Sequence, residues 1–148
     1  MKIERHFTSE RTGAYGTLDF RLTRSEIRNP DGSIVFELEN LEVPSAWSQV
    51  ASDIMAQKYF RKAGVPAILK KVKEQGVPEF LWRSVADNKK ISNLPTEERY
   101  IGETSAKQVF DRLAGAWSYW GWKGGHFRSE AEARVYFDEM RYILATQM

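Results

Sequence analysis

Alternation of apolar and polar residues is the first organised signal along the chain. Leu18, Phe20 and Leu22 alternate with polar positions, and so do Ile34, Phe36 and Leu38. Between them lies Asn29-Pro30-Asp31-Gly32, a run of turn formers, so the region 1–43 predicts a β-hairpin. The phase then changes, because Leu41 and Val43 have the opposite parity to Leu38. One extra residue near Asn40 explains this as a bulge or strand end. Pro44 closes the strand region.

Residues 44–83 carry helical spacing. Ser45 stands where a cap is expected, and Trp47, Val50, Ala51 and Ile54, continued by Tyr59, fall on one helical face. Gly64 suits the left-handed position past a helix, and Pro66 suits the first turn of the next. That helix is expected to bury Ile68, Leu69 and Val72 while exposing Lys70, Lys71 and Lys73, and to stop at Gly76 and Pro78. The stretch 84–103 is polar and interrupted by Pro95, which predicts a long surface loop with little regular structure.

Residues 104–148 return to helix. Ser105-Ala106-Lys107-Gln108 is a capping box, followed by a stripe of Val109, Phe110, Leu113, Ala116, Trp117 and Trp120. Gly121, Gly124 and Gly125 are expected to break this helix. Ser129-Glu130-Ala131-Glu132 reads as a second box, opening a helix that buries Tyr136, Phe137, Met140, Ile143 and Leu144. The final Ala145-Thr146-Gln147-Met148 carries no stop signal, the pattern expected of a cut inside a larger protein. The fold class expected is α+β, mainly α: a hairpin followed by about four helices centred near Ala51, Lys70, Arg112 and Phe137.

Composition narrows the chemistry. With 148 residues and 42% hydrophobic content, one domain with its own core is expected. A net charge of +2, from 22 Lys+Arg against 20 Asp+Glu, nominates no strongly charged partner and leaves nucleic acid disfavoured. There is no cysteine, which removes disulfides, thiolate metal sites, thiol nucleophiles and protein thiyl radicals from this chain. The two histidines, His6 and His126, suggest neither a zinc site nor a triad. No long apolar run or secretory signal occurs, so a cytoplasmic protein without a membrane partner is expected.

The stretch 117–128 mixes rings, glycines and cations, the chemistry that clamps single-stranded bases. Core packing accounts for Trp117 and Trp120, which leaves Trp122, Lys123 and His126 as interaction candidates. Lys123-Gly124-Gly125 has its lysine on the wrong side of the glycines for a phosphate loop. Lys70-Lys71-Val72-Lys73 reads as a solvated helix face, and Asp111, Glu130, Glu132, Asp138 and Glu139 as surface and capping groups. No catalytic, cofactor-binding or metal-ligating residue is assigned. One functional reading is therefore a free-standing module that binds a nucleotide or single-stranded nucleic acid through 117–128.

Four segments carry a different reading. They are Pro44-Ser45-Ala46-Trp47-Ser48-Gln49-Val50-Ala51, Gln57-Lys58-Tyr59-Phe60-Arg61-Lys62-Ala63-Gly64-Val65-Pro66, Tyr100-Ile101-Gly102-Glu103-Thr104-Ser105-Ala106-Lys107-Gln108-Val109-Phe110, and Trp120-Gly121-Trp122-Lys123-Gly124-Gly125. In this order they resemble the N-terminal domain of adenosylcobalamin-dependent (class II) ribonucleotide reductases. The stretch from Ala86 to Asn93 and the turn His126-Phe127-Arg128 depart most from the family pattern. The resemblance implies a single N-terminal domain, 1–148, truncated before the catalytic barrel. It implies a parent that reduces ribonucleotides to deoxyribonucleotides for DNA synthesis, with adenosylcobalamin generating a thiyl radical. The family's Pro-Asn-Ser-Pro phosphate loop, its catalytic cysteines and its catalytic Asn and Glu are not in this sequence. The fragment itself is therefore expected to be non-catalytic and to hold no cofactor. Its expected partners are the rest of the reductase and, weakly, a second copy through the last helix.

Overall fold

The computed structural model describes residues 2–148. Strands β1 (Phe20–Arg28) and β2 (Ile34–Pro44) form the antiparallel hairpin that the alternation predicts. The phase change is a bulge: Thr23 pairs with Leu41 but Ser25 with Leu38, and the inserted Asn40 has φ 56°. Asparagine tolerates this left-handed conformation. The insertion returns Leu41 and Val43 to the body of the protein, where both are fully buried.

Helix α1 (Gln49–Ile54) begins three residues later than expected, because Ser48 and not Ser45 caps it by accepting from the Ala51 amide at 3.1 Å. Ser45 instead donates its own amide to Asp19 O at 2.8 Å in the turn after β2. That turn swings Trp47 inward, and its indole Nε1 donates to the buried Ala145 carbonyl at 2.8 Å. The expected face is consequently split: Trp47 is buried while Val50, Ile54 and Tyr59 lie outside. A π turn, Met55–Tyr59, continues α1.

The helix expected around Lys70 is absent, and the segment forms strands. β3 (Val65–Pro66) pairs with β6 (Tyr100–Ile101), and β4 (Leu69–Lys71) pairs with β5 (Ser84–Ala86). Only a short run separates Pro66 from Gly76, and a helix of that length gains too little to offset its nucleation cost. A short apolar run is ambiguous between the two periods, so pairing with residues distant in sequence decides the outcome. The region expected as a bare loop accordingly holds β5, a short α2 (Asn88–Ile91), a 3-10 turn and β6.

Helices α3 (Ala106–Lys123) and α4 (Glu130–Thr146) complete the chain and pack on each other. The Ser105 capping box is formed, Gln108 Oε1 accepting the Ser105 amide at 3.0 Å. The core gathers Leu41, Val43, Trp47, Phe60, Val109 and Phe110, with Trp47 edge-on to Phe110 at 5.7 Å. Trp120 departs from the expected stripe and is 64% exposed. Gly121 does not break α3: it lies inside the helix, where a Cβ would meet Phe127 at 2.6 Å. At the far end α4 closes on Gln147 in the left-handed conformation, φ 58°, a stop carried by a residue that sequence rules do not associate with one.

Candidate docking groove and flanking sites

A solvent-open groove of about 350 Å³ lies between α1 with its π turn, the first half of α3 and the end of α4. Its lining is mostly apolar, with Gln147 and the Tyr59 hydroxyl as polar groups. Trp47, Phe110 and Val109 form the floor, and Leu113 and Leu144 line the walls. Ile54 and Tyr59, each about half exposed, form the rim.

A buried ion pair sets the shape of this groove. Glu103 accepts from Arg112 Nε at 3.0 Å and from the Arg61 amide at 2.9 Å, while Arg112 Nη2 donates to the Tyr59 carbonyl at 2.6 Å. Together they bind the π turn to the entry of α3. The β3–β6 pairing runs alongside, and Gly102 permits the close approach, since a Cβ there would stand 2.8 Å from Lys62 O. Three segments, two neighbouring and one distant in sequence, thus meet at one hollow: Trp47 and Ala51 from the first, Tyr59 from the second, Val109 and Phe110 from the third.

The residues of 117–128 have internal partners. Trp122 Nε1 donates to Gly76 O at 2.7 Å, and Lys123 Nζ reaches Glu74 at 3.0 Å. Glu74 also accepts from Tyr119 OH at 3.0 Å. The hydrogen bond from Lys123, ahead of that from Tyr119, holds the Glu74 carboxyl below its ordinary range, and Glu74 raises both the Lys123 ammonium and the Tyr119 phenol. The structure therefore joins Trp122 and Lys123 at the 74–76 turn, while His126 is exposed and folds back over Gly124. Lys71, expected on a solvated helix face, lies on β4 and donates to Trp82 O at 3.0 Å.

Residues 21–147 match the family model described as class II vitamin B12-dependent ribonucleotide reductase. The chain belongs to that family, as its N-terminal domain. It is 64% identical over 148 residues, all of the chain, to the vitamin B12-dependent ribonucleotide reductase of Bradyrhizobium diazoefficiens. It is 59% identical over 147 residues, 99% of the chain, to that of Agrobacterium fabrum. With the enzyme of Streptomyces coelicolor it shares 28% over 118 residues, 80% of the chain and 9% of that enzyme. The chain spans about 12% of the length of the first two relatives. In this class II reductase domain, three of the four segments that carry the family resemblance meet at the groove.

A corrin, the cofactor implied by the family name, is a broad macrocycle fringed with amides, and the groove offers it two polar side-chain groups, the Gln147 amide and the Tyr59 hydroxyl. Of the two imidazoles able to reach a cobalt, His6 stands edge-on to Phe7 at 4.5 Å and His126 lies over Gly124. These groups do not fit it. Among the described residues no helix is long and apolar enough to cross a membrane.

The carboxylates of α4 correct the sequence reading. Glu132, Asp138 and Glu139, expected at the surface, are 8%, 6% and 7% exposed. Glu132 accepts from the Arg128 amide at 2.7 Å and from the Ile3 amide at 2.8 Å. It thus occupies the anion-accepting end of α4, and its carboxyl is held low by these two amides, Arg128 first. Asp138 bridges Arg141 at 2.6 Å and Arg5 at 2.7 Å. Asp111 accepts from Tyr15 OH at 2.8 Å, and burial, reinforced by Asp111, pushes the Tyr15 phenol up. The one sequence hint was the spacing of 132 and 139, two helical turns apart on one face. Arg128 and Arg141 donate locally, and the other donors, Ile3, Arg5, Phe7 and Thr8, come from the opposite end of the chain.

Proposed function

We propose that this chain is the non-catalytic docking domain of an adenosylcobalamin-dependent ribonucleotide reductase. The whole enzyme reduces ribonucleotides to deoxyribonucleotides in the cytoplasm, with the cofactor and the radical cysteine held by residues outside this chain. The observation that carries this reading is the convergence of three family segments on an uncovered apolar groove. The absence of cysteine agrees with it, since a thiyl radical has no sulfur here to occupy. The groove's partner is an apolar surface of the catalytic barrel. Without the barrel, a second copy is the nearest substitute, and Leu144 of the last helix contributes to that weak self-association.

Ile54→Glu combined with Tyr59→Glu in the whole reductase tests the proposal. Both side chains are about half exposed, so the domain keeps its helical circular dichroism and melting temperature. Covering the exposed half of each is worth on the order of 1 kcal/mol or more, and the charges add a desolvation cost. Deoxyribonucleotide formation is expected to fall about tenfold or more. A doubly substituted enzyme of unchanged activity and unchanged resistance to urea overturns the docking reading.

A further inference from the structure

The first residues of the chain bind α4 without forming a strand or a helix. The Phe7 amide donates to Glu139 Oε2 at 3.1 Å, and Thr8 donates to Oε1 of the same carboxylate through its amide at 2.9 Å and its hydroxyl at 2.6 Å. The Ile3 amide donates to Glu132 at 2.8 Å, and the Arg5 guanidinium, mostly buried, meets Asp138 at 2.7 Å. The Phe7 ring stacks on Tyr142, with centroids 5.4 Å apart and planes within 5°. The polar partners are at sequence separations between 129 and 133. Burial lifts the Glu139 carboxyl, but the donors from Thr8 and Phe7 outweigh it and hold the group low.

The match to the family model begins at Arg21, beyond the arm, whereas the Bradyrhizobium relative aligns over the full 148 residues. We propose that α4 carries a peptide-binding face whose resident ligand is the arm 3–8 of this same chain. The face fits a segment of the form Arg-x-Phe-Thr that bends at His6 and Phe7. Glu139 takes two successive main-chain amides and so selects the bend, Glu132 takes the Ile3 amide, Asp138 selects a guanidinium, and Tyr142 offers a flat surface to an aromatic ring. Main-chain bonds supply the affinity in such complexes and side-chain contacts the selectivity.

A chain lacking residues 1–8 and a fluorescent peptide with the sequence of residues 2–9 provide the test. The shortened chain should bind the peptide saturably by anisotropy, and the intact chain, with its face occupied, should not. Arg5→Ala in the peptide should weaken binding on the order of tenfold or more. A shortened chain that keeps its helical circular dichroism and ignores the peptide overturns the proposal. If shortening lowers the helical signal, the peptide should restore it in trans, and failure to do so also overturns it. In the intact chain the Phe7 and Thr8 amides should exchange slowly with deuterium, and Glu139→Gln should speed them about tenfold with α3 unchanged. Amides that already exchange at the free-peptide rate refute the arm as a bound ligand.

Discussion

Replacing Glu103 by alanine should loosen the groove before it unfolds the domain. The carboxylate side chain is 4% exposed and accepts from the Arg112 guanidinium and the Arg61 amide. Removing one member of a buried pair costs about 3–5 kcal/mol, because the other charge is left without its partner. Arg112 is 29% exposed and keeps its bond to the Tyr59 carbonyl, so water relieves part of that cost. The expected loss is about 2–3 kcal/mol, within the roughly 5–15 kcal/mol that a domain commands. At this chain length the melting temperature should fall by roughly 4–12 °C. Arg112→Ala alone should cost a similar amount, and the double variant much less than the sum, since both remove one interaction. Equilibrium urea denaturation of the four proteins, followed by circular dichroism, measures the cycle. Additive losses, or a cost below about 0.5 kcal/mol for Glu103→Ala, would show that the pair does not hold the π turn to α3.

Two glycines of α3 should respond in opposite directions. Gly121→Ala drives a methyl into the Phe127 ring and should cost about 1–3 kcal/mol, whereas Gly115→Ala finds Phe137 at an ordinary 3.9 Å and should stabilise by about 0.5–1 kcal/mol in thermal melts. The arm should be acid-labile: Glu132 and Glu139 titrate below the ordinary glutamate value of 4.5, so their stabilisation is complete above it and is lost as pH falls through their lowered values. The Phe7 and Thr8 amide signals should therefore shift towards free-peptide positions as pH falls below 4.5 in NMR titrations. Trp122→Phe removes the donor to Gly76 O and should cost about 1 kcal/mol in urea denaturation. An oligonucleotide titration should show no steeply salt-dependent binding, and a steep salt slope lost in a Lys123→Ala variant would restore the nucleic-acid reading.

What could be read from the sequence was local. The hairpin, its bulge at Asn40, the Ser105 capping box and the long final helix all follow from neighbours a few residues apart. The strands at Val65–Pro66 and Leu69–Lys71 were hidden because their partners lie beyond the turn at Gly76 and Pro78, outside the range of local pattern. Ser45 and Ser48 are chemically equivalent caps, and only the destination of Trp47 chooses between them. The groove was half visible: Trp47, Val109 and Phe110 stood out as apolar, but nothing local exposes Ile54 or joins Tyr59 to Arg112. Buried Glu132 and Glu139 were the least visible, because most of their donors are backbone amides that carry no side-chain signature.

The arm's position has a consequence for how the chain is made. Residues 3–8 are synthesised about 130 residues ahead of their receptor on α4. Synthesis at roughly 5–20 residues per second leaves the arm without its partner for several seconds. During that interval Ile3 and Phe7 are free to meet other chains or chaperones. Contacts that close so long a loop form late, since loop entropy must be overcome before they contribute. Changes to the arm should therefore hasten unfolding and leave the folding rate almost unaltered. The clasp sets how long the finished domain stays shut, while the hairpin and α3 set how quickly it arrives.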